Sequence, residues 1–189
     1  MDDFEDIEGL KQGNEHSFQM LLDTYAKNIY NLCLSILQNQ EDAEDATQEV
    51  FSTVFLFIKE FKGESKLSTW LYRIAVNKCQ EQIRKKNRKK RFGFLTSIDI
   101  AENTNLNPTF LHPGIELENK ERASILFLAI DRLPENQKIA FTLHKIEGIA
   151  YEEIAKAMNL SLSSIESLLF RAKQNLKKTL GDYYEKNER

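Results

Sequence analysis

The sequence predicts an all-α protein built as two small helical domains joined by a flexible linker. Apolar residues recur every three or four positions along most of the 189-residue chain, which is the period of an amphipathic helix. The period is lost between residues 92 and 117, a stretch too long for a connection inside one compact domain. We therefore expect an N-terminal domain at residues 1–91, a linker at residues 92–117, and a C-terminal domain at residues 118–189.

Three helices account for the N-terminal domain. The first is predicted from about Glu15 to Leu37, and Asn39 is expected to cap the second, because its side chain can accept a backbone N–H. A loop follows the second helix, whose apolar line consists of Ala43, Ala46, Val50, Val54, Phe57, Ile58 and Phe61. Ser68 or Thr69 is expected to cap the third helix. Its inward positions are Trp70, Leu71, Ile74, Ala75 and Cys79.

The C-terminal domain is predicted to contain a helix-turn-helix. After two helices punctuated by Pro134 and Gly148, a short helix covers Tyr151–Met158, and a longer one runs from about Leu162 to Leu180, closed by Gly181. The residues expected to pack these helices and to cap the second are Ile154, Ala155, Leu160, Ser161 and Ile165. That spacing is typical of a helix-turn-helix, whose second helix enters the major groove of DNA. An ordinary helical hairpin is the alternative.

Several classes of protein are excluded by simple features. No apolar run approaches the roughly 18 residues that a membrane span needs, and the acidic first residues do not suit a signal peptide. Two cysteines, Cys33 and Cys79, make no disulfide framework, so we expect a reducing cytosol. Three scattered histidines and two cysteines also make no zinc-ligand cluster.

Charge is sorted along the chain, although the formal net charge is only −3. Residues 1–50 carry 12 acidic and two basic side chains, whereas residues 51–91 carry three acidic and 12 basic ones. Residues 84–91 hold seven cations in eight positions, among them Arg84, Arg88 and Arg91. Clustered like charges repel one another and gain from an anionic partner, which favours a polyphosphate-binding surface. A solvated, basic helix end is the alternative.

Carboxylates crowd the start of the second helix. Asp42, Asp45 and Glu49 form a stripe at i, i+3 and i+7. An exposed acidic stripe at a helix N-terminus favours a docking surface for a basic partner. A plain solvated face is a second interpretation. A divalent-metal or catalytic acid site is a third, and it is disfavoured because no histidine or second carboxylate cluster completes the ligand set.

Two further sets of side chains suit contact with DNA. Four residues of the third helix cannot all share the core with its inward face: Tyr72, Arg73, Asn77 and Lys78. Flat, amide and cationic groups of this kind suit single-stranded DNA, on which bases stack and phosphates are neutralised. The exposed positions of the last helix include Ser163, Ser164, Glu166, Ser167 and Arg171. Hydroxyls suit phosphates, an arginine suits phosphate or guanine, and a glutamate can accept from cytosine.

These constellations, taken in order, resemble the extracytoplasmic-function (ECF) family of bacterial RNA polymerase sigma factors. The resemblance covers roughly residues 8–91 and 118–180. The motifs that carry it are Asp42-Ala-Glu-Asp-Ala-Thr-Gln-Glu-Val-Phe51, Phe61-Lys-Gly, Ser68-Thr-Trp-Leu-Tyr-Arg-Ile-Ala-Val-Asn77, Leu133-Pro, Tyr151-Glu-Glu-Ile-Ala155 and Phe170-Arg-Ala172. Their combination is far more specific than a helix-turn-helix alone.

The resemblance implies a non-catalytic, cytoplasmic subunit that binds bacterial core RNA polymerase and directs promoter-specific initiation. It implies no cofactor, metal or membrane insertion, and it makes an anti-sigma partner an expectation. The implied contacts to the polymerase clamp helices are Asp42, Asp45, Gln48 and Glu49. The implied contacts to the −10 element, duplex or melted, are Lys66, Ser68, Tyr72, Arg73, Asn77 and Lys78. The run Arg84–Arg91 is implied to hold adjacent phosphates, and the helix-turn-helix to read the −35 element while resting on the polymerase flap.

The last helix departs from the common pattern of that family. Basic residues are frequent where this chain has Glu166 and Leu168, and a Gly-Thr pair is frequent where it has Ser163-Ser164. We therefore expect a −35 grip that depends less on cations, with Leu168 packed inward or against polymerase. Two other functions stay open at this point. One is a free-standing dimeric regulator, and the other is a nuclease with its metal at Asp42, Glu44, Asp45 and Glu49.

Overall fold

The structure, a computed structural model, describes the backbone of residues 6–94 and 120–187, and the side chains of residues 6–88 and 123–181. Its elements are α1 (Ile7–Gln12), α2 (Glu15–Leu37), α3 (Gln40–Phe57), a 3₁₀ turn (Ile58–Glu60), α4 (Leu67–Phe94), α5 (Lys120–Asp131), α6 (Glu135–Phe141), a π turn (Thr142–Ile146), α7 (Tyr151–Met158) and α8 (Leu162–Asn187). All regular elements in the described ranges are helical, which confirms the all-α prediction. The predicted linker lies outside these ranges except for residues 92–94, which continue α4.

The N-terminal domain packs α2, α3 and α4 around one apolar core. Helix α2 has its predicted bounds, and Asn39 caps α3 by accepting the backbone N–H of Asp42 at 2.9 Å. Each large aliphatic side chain buried here contributes about 1.5–3 kcal/mol. The fully buried ones that join the three helices are Leu21, Ile29, Leu32, Ile36, Val50 and Leu71.

Two local predictions in this domain were wrong. Phe57, expected on the apolar line of α3, is 46% exposed, because α3 ends there and the 3₁₀ turn brings Ile58 inward instead. Helix α4 begins at Leu67, before both predicted caps, with the Trp70 N–H bonded to the Lys66 carbonyl at 3.2 Å. The buried side chain of Leu67 anchors this start, so Ser68 and Thr69 lie buried in the first turn.

The C-terminal domain folds as predicted in its helix-turn-helix and differs at its end. Helix α7 has the predicted bounds, and Gly148 before it adopts φ +70°, which a glycine tolerates without strain. Two of the residues expected to pack these helices are less buried than predicted: Leu160 is 37% exposed and Ala155 is half-buried, whereas Ala157 is buried. Helix α8 does not end at Gly181 but continues to Asn187, since that glycine keeps the helical conformation.

The two domains pack directly on each other, and the buried apolar residues form one continuous cluster. At the end of α2, the Gln38 side chain donates to the Phe127 carbonyl at 2.9 Å. The buried ammonium of Lys138 donates to the Ile36 carbonyl at 3.2 Å and pairs with Asp131 at 2.5 Å. A cation at a helix C-terminus also complements the helix dipole.

Both cysteines belong to the core, as predicted for Cys79. The pKa of the Cys79 thiol is raised well above its usual value, chiefly because of a hydrogen bond with Cys33 and secondly because of burial. Within the described residues, no helix is both long enough and apolar enough to cross a membrane.

Candidate nucleic-acid and protein interfaces

The acidic stripe of α3 is divided between two faces. Asp42 and Glu49 point toward α4, where Glu49 pairs with Lys78 at 3.6 Å and with Lys85 at 3.9 Å. Asp42 pairs with Lys86. The solvent-facing side holds Glu41, Glu44, Asp45 and Gln48. Asp42 and Glu49 therefore hold the basic helix α4 in place, whereas Asp45 and its exposed neighbours are free to meet a partner.

An apolar groove continues the exposed half of the stripe toward the C-terminus of α3. Phe55 and Leu56 are 60% and 69% exposed, and the Phe55 ring meets Phe18 of α2 edge to face at 5.3 Å. The groove has a volume of about 540 Å³. Its lining residues are Phe18, Leu22, Gln48, Phe51, Ser52, Phe55 and Leu56. Exposed apolar patches of this kind mark interaction sites.

The sequence analysis did not identify Phe55 and Leu56 as surface residues. Phe55 and Leu56 lie seven and eight residues after Gln48, so they fall on the same side of α3 as that exposed residue. Their exposure could have been predicted from helical phase, because large apolar residues on a helix face that begins with carboxylates do not belong to the core stripe. A partner for this side of α3 would meet charge at one end and apolar surface at the other.

The strand-binding candidates gather at the start and middle of α4. Arg73 and Asn77 are exposed and lie one turn apart, on a common face. Tyr72 is half-buried, and Lys78 is half-buried between Glu49 and Glu81. Lys66 is exposed, whereas Ser68 is only 5% exposed.

A cavity of about 450 Å³ opens beside these residues. One wall carries Trp70, which packs on Phe61 with ring centroids 5.4 Å apart, and Arg73. Lys156 and Asn159 of the C-terminal domain also line the cavity. The predicted core position of Trp70 is therefore partly right: the indole packs on the core at one edge and lines the cavity at the other.

The basic end of α4 presents cations to solvent. Arg84, Lys85, Lys86 and Arg88 are all exposed, and the two lysines have carboxylate partners on α3. The side chain of Arg91 lies outside the described residues. The positive charge of the basic run is therefore partly neutralised within the protein. Its positive electrostatic potential comes mainly from the arginines, because the two lysines are paired with carboxylates.

The helix-turn-helix presents a hydroxyl-rich edge. Ser161 caps α8 by accepting the Ser164 N–H at 3.2 Å, as predicted, and its hydroxyl lies 3.1 Å from that of Ser163. Ser167, Arg171 and Asn136 line the same shallow groove, of about 310 Å³. The predicted base-edge residue Glu166 is exposed on the same helix, while Leu168 is half-buried against the core. Leu168 thus packs against the core and also lines this groove, so a contact with polymerase stays open.

Two carboxyl groups of the C-terminal domain have shifted pKa values. Burial raises the pKa of Glu147 to about 7. Glu153 has a lowered pKa, chiefly because the Thr69 hydroxyl of the other domain donates to its carboxylate, with help from the cations Lys156 and Lys66. As for metals, the described side chains contain no group of three or more histidines, cysteines or acidic residues placed to hold an ion.

Comparison with known proteins gives the same two-part division. The family profile Sigma-70 region 2 matches residues 21–89, and the profile Sigma-70, region 4 matches residues 124–176. The chain is 34% identical over 172 residues to the ECF RNA polymerase sigma-E factor of Haemophilus influenzae, covering 89% of each. It is 29% identical over 176 residues to the RNA polymerase sigma-H factor of Pseudomonas aeruginosa, covering 92% of this chain and 91% of that one.

Solved structures share the fold. CnrH in complex with the cytosolic domain of CnrY superposes with a TM-score of 0.68 at 18% identity, over 95% of this chain and 97% of that one. The sigma factor RpoE in complex with the anti-sigma factor NepR, from Bartonella quintana, gives 0.67 at 22% identity, over 87% and 96%. At these identities the likeness concerns the fold alone.

Proposed function

The chain belongs to the ECF family of sigma factors and directs promoter-specific transcription initiation, and from that membership we propose how its surfaces divide the work. The observation that carries the proposal is that the three exposed surfaces follow the order of the two matched regions. The acidic and apolar side of α3 and the face of α4 lie in region 2, and the helix-turn-helix lies in region 4.

The exposed side of α3 docks on the clamp helices of core polymerase. Asp45 and Gln48 supply the polar contacts, and Phe55 and Leu56 supply apolar area, a combination that suits a partner helix with cations beside an apolar stripe. Asp42 and Glu49 contribute mainly by holding α4, although the Glu49 side chain keeps 39% of its exposure and remains within reach of a partner.

The face of α4 captures the melted −10 strand. Arg73 and Asn77 present a guanidinium and an amide one turn apart, which suits stacking on an unpaired base and hydrogen bonding to its edge. Lys66, Tyr72 and Lys78 flank them, and Ser68, which is 5% exposed in the first turn of α4, would reach the strand only if that turn rearranged. Arg84, Arg88 and Arg91 bind the DNA phosphates adjacent to the −10 element.

The helix-turn-helix reads the −35 element. Ser163, Ser164 and Ser167 contact phosphates or base edges through hydroxyls, Arg171 supplies the cation, and Glu166 accepts from an exposed cytosine amine. The same domain rests on the polymerase flap. We further propose that the chain works in the cytoplasm without a catalytic centre of its own, and that an anti-sigma protein binds it, as NepR binds RpoE in the solved complex.

Reversal of one exposed charge tests the docking surface. We expect Asp45→Lys to weaken binding to bacterial core polymerase at least about tenfold, which is about 1.4 kcal/mol, because the substitution places a cation against a basic partner. Fluorescence anisotropy with labelled protein measures the affinity, and circular dichroism checks that the helices are intact. Glu60→Lys is the matched control, since it makes the same change at an exposed site of the same domain. Equal affinities for the two variants would remove Asp45 from the interface.

A further inference from the structure

Two thiols from different helices meet in the core of the N-terminal domain. Cys33 lies on α2 and Cys79 lies on α4, and both side chains are fully buried. The two helices pack on each other, and the two thiols share a hydrogen bond. They are the two cysteines of the whole chain. None of the surfaces assigned to polymerase or DNA uses this pair, although thiols in contact can be joined by a disulfide bond.

A cavity of about 380 Å³ ends close to the pair. On α2 its wall includes Ile36, which lies three residues after Cys33. On α4 its wall includes Ile83, which lies four residues after Cys79. Residues three or four positions apart are neighbours on one face of a helix, about 5.4 Å apart along its axis. The same two helix faces therefore carry the thiols and line the cavity.

The cavity is open to solvent and holds a buried cation. Its lining includes the exposed residues Asn87 and Asp131, so a small solute can enter it. It also includes Lys138, which is 8% exposed and pairs with Asp131 at 2.5 Å. The Lys138 ammonium lies close enough to Cys79 to favour the thiolate form of that residue. The thiolate is the form that reacts with oxidants, and a neighbouring cation stabilises it.

We propose that Cys33 and Cys79 form a redox site, which hydrogen peroxide admitted through this cavity converts to a disulfide bond. In the first step one thiolate attacks a peroxide oxygen. An S–O bond forms, the O–O bond breaks, and the departing hydroxide takes up the proton that the thiol released. In the second step the other sulfur attacks the sulfenic acid. The S–S bond forms, the S–O bond breaks, and water leaves with the second thiol proton. Two thiols and one peroxide thus give one disulfide and two waters.

The surroundings of the pair restrict the oxidants to which it responds. A hydrogen bond with Cys33, together with burial, raises the pKa of Cys79 well above its usual value, so its thiolate is scarce and its reaction is slow. Both sulfurs lie behind the cavity wall, where side-chain motion admits a molecule as small as peroxide but excludes a peptide disulfide. The pair therefore stays reduced under ordinary reducing conditions and is oxidised when peroxide accumulates, a behaviour typical of redox-sensing disulfides.

Thiol counting after peroxide treatment tests the proposal. The folded full-length chain is treated with hydrogen peroxide, freed of it with catalase, unfolded and alkylated with N-ethylmaleimide, and its intact mass is measured. We expect loss of both labels from a chain that stays monomeric on a non-reducing gel, and recovery of both labels after dithiothreitol. Retention of both labels at a peroxide dose that oxidises the exposed Met20 would overturn the proposal. Oxidation of one cysteine to a sulfinic acid, with the other still free, would also overturn it.

Two variants test the route through the cavity. Ile83→Phe enlarges a side chain of the cavity wall and is expected to slow disulfide formation at least about fivefold, since access limits the reaction of a buried thiol. Leu22→Phe is the matched control, because it makes a similar enlargement at a half-buried residue of α2 that lines the separate groove beside Phe55. Circular dichroism checks that both variants are folded. Equal rates in the two variants would contradict access through the cavity.

Alkylation of the folded chain separates access by peroxide from exposure by unfolding. Without peroxide, N-ethylmaleimide is expected to label the native chain at least about tenfold more slowly than peroxide oxidises it at the same concentration, because the larger reagent must wait for the domain to open. Equal rates of labelling and oxidation would show that both reagents act on an opened chain. That result would overturn the proposal of a redox site in the folded protein.

Discussion

Glu147 gives the sharpest test of the electrostatics of the C-terminal domain. It lies at the end of the π turn, half-buried, and among the described residues its buried oxygen Oε1 has no hydrogen-bond partner. Burial raises its pKa from 4.5 to about 7. Between pH 4.5 and about 7, the folded protein therefore holds a proton at this carboxyl that the unfolded chain has lost. Glu147→Gln replaces the titrating group with a neutral one of the same size.

The sign and size of the effect follow from proton linkage. Because the folded state binds more protons than the unfolded state between pH 4.5 and about 7, stability falls as pH rises through that window and levels off above it. A shift of this size corresponds to at most about 3.4 kcal/mol at 1.36 kcal/mol per unit. Solvent at the exposed part of the side chain screens the penalty, so we expect about 1–2 kcal/mol.

The assay is urea unfolding at pH 5, 6, 7 and 8, followed by circular dichroism. The Glu147→Gln variant is expected to match the wild type most closely at pH 5 and to exceed its stability by about 1–2 kcal/mol at pH 8. Glu135→Gln, at a half-buried site on α6, controls for loss of a charge in the same domain. An unchanged pH slope in the Glu147 variant would refute the reasoning, since the burial penalty would then be absent.

Two further predictions concern the same domain. Gly148→Ala is expected to cost about 1–2 kcal/mol in thermal or urea unfolding, because φ is +70° while the space around the added Cβ is open; an unchanged stability would mean that the backbone adjusts freely. Arg171→Ala is expected to weaken binding to a −35 duplex by about tenfold or more without changing affinity for core polymerase; a loss of core binding instead would move Arg171 from the DNA surface to the flap contact.

Most of the fold could be predicted from periodicity and capping. The bounds of α2 and α7 and the caps at Asn39 and Ser161 are confirmed, because apolar spacing and side-chain acceptors act locally. The errors occur where tertiary packing overrides a local signal. Leu67 starts α4 by burying itself, ahead of two good capping residues, and Gly181 stays helical within α8.

The candidate surfaces were predictable in part. Exposed Arg73 and Asn77 follow from helical phase alone. The division of the acidic stripe required knowledge of which side of α3 faces α4, and that depends on long-range packing. The hydrogen bond between Thr69 and Glu153 was equally inaccessible, because a contact between residues 84 positions apart leaves no local pattern.

Run-off transcription with bacterial core polymerase tests the central claim most directly. Fragmented genomic DNA from the source organism serves as template, with and without the chain, and start sites are mapped at single-nucleotide resolution. The account predicts discrete start sites that appear only with the chain, preceded by common −10 and −35 sequences. Identical transcripts in both reactions, together with no association between the chain and core polymerase, would contradict it.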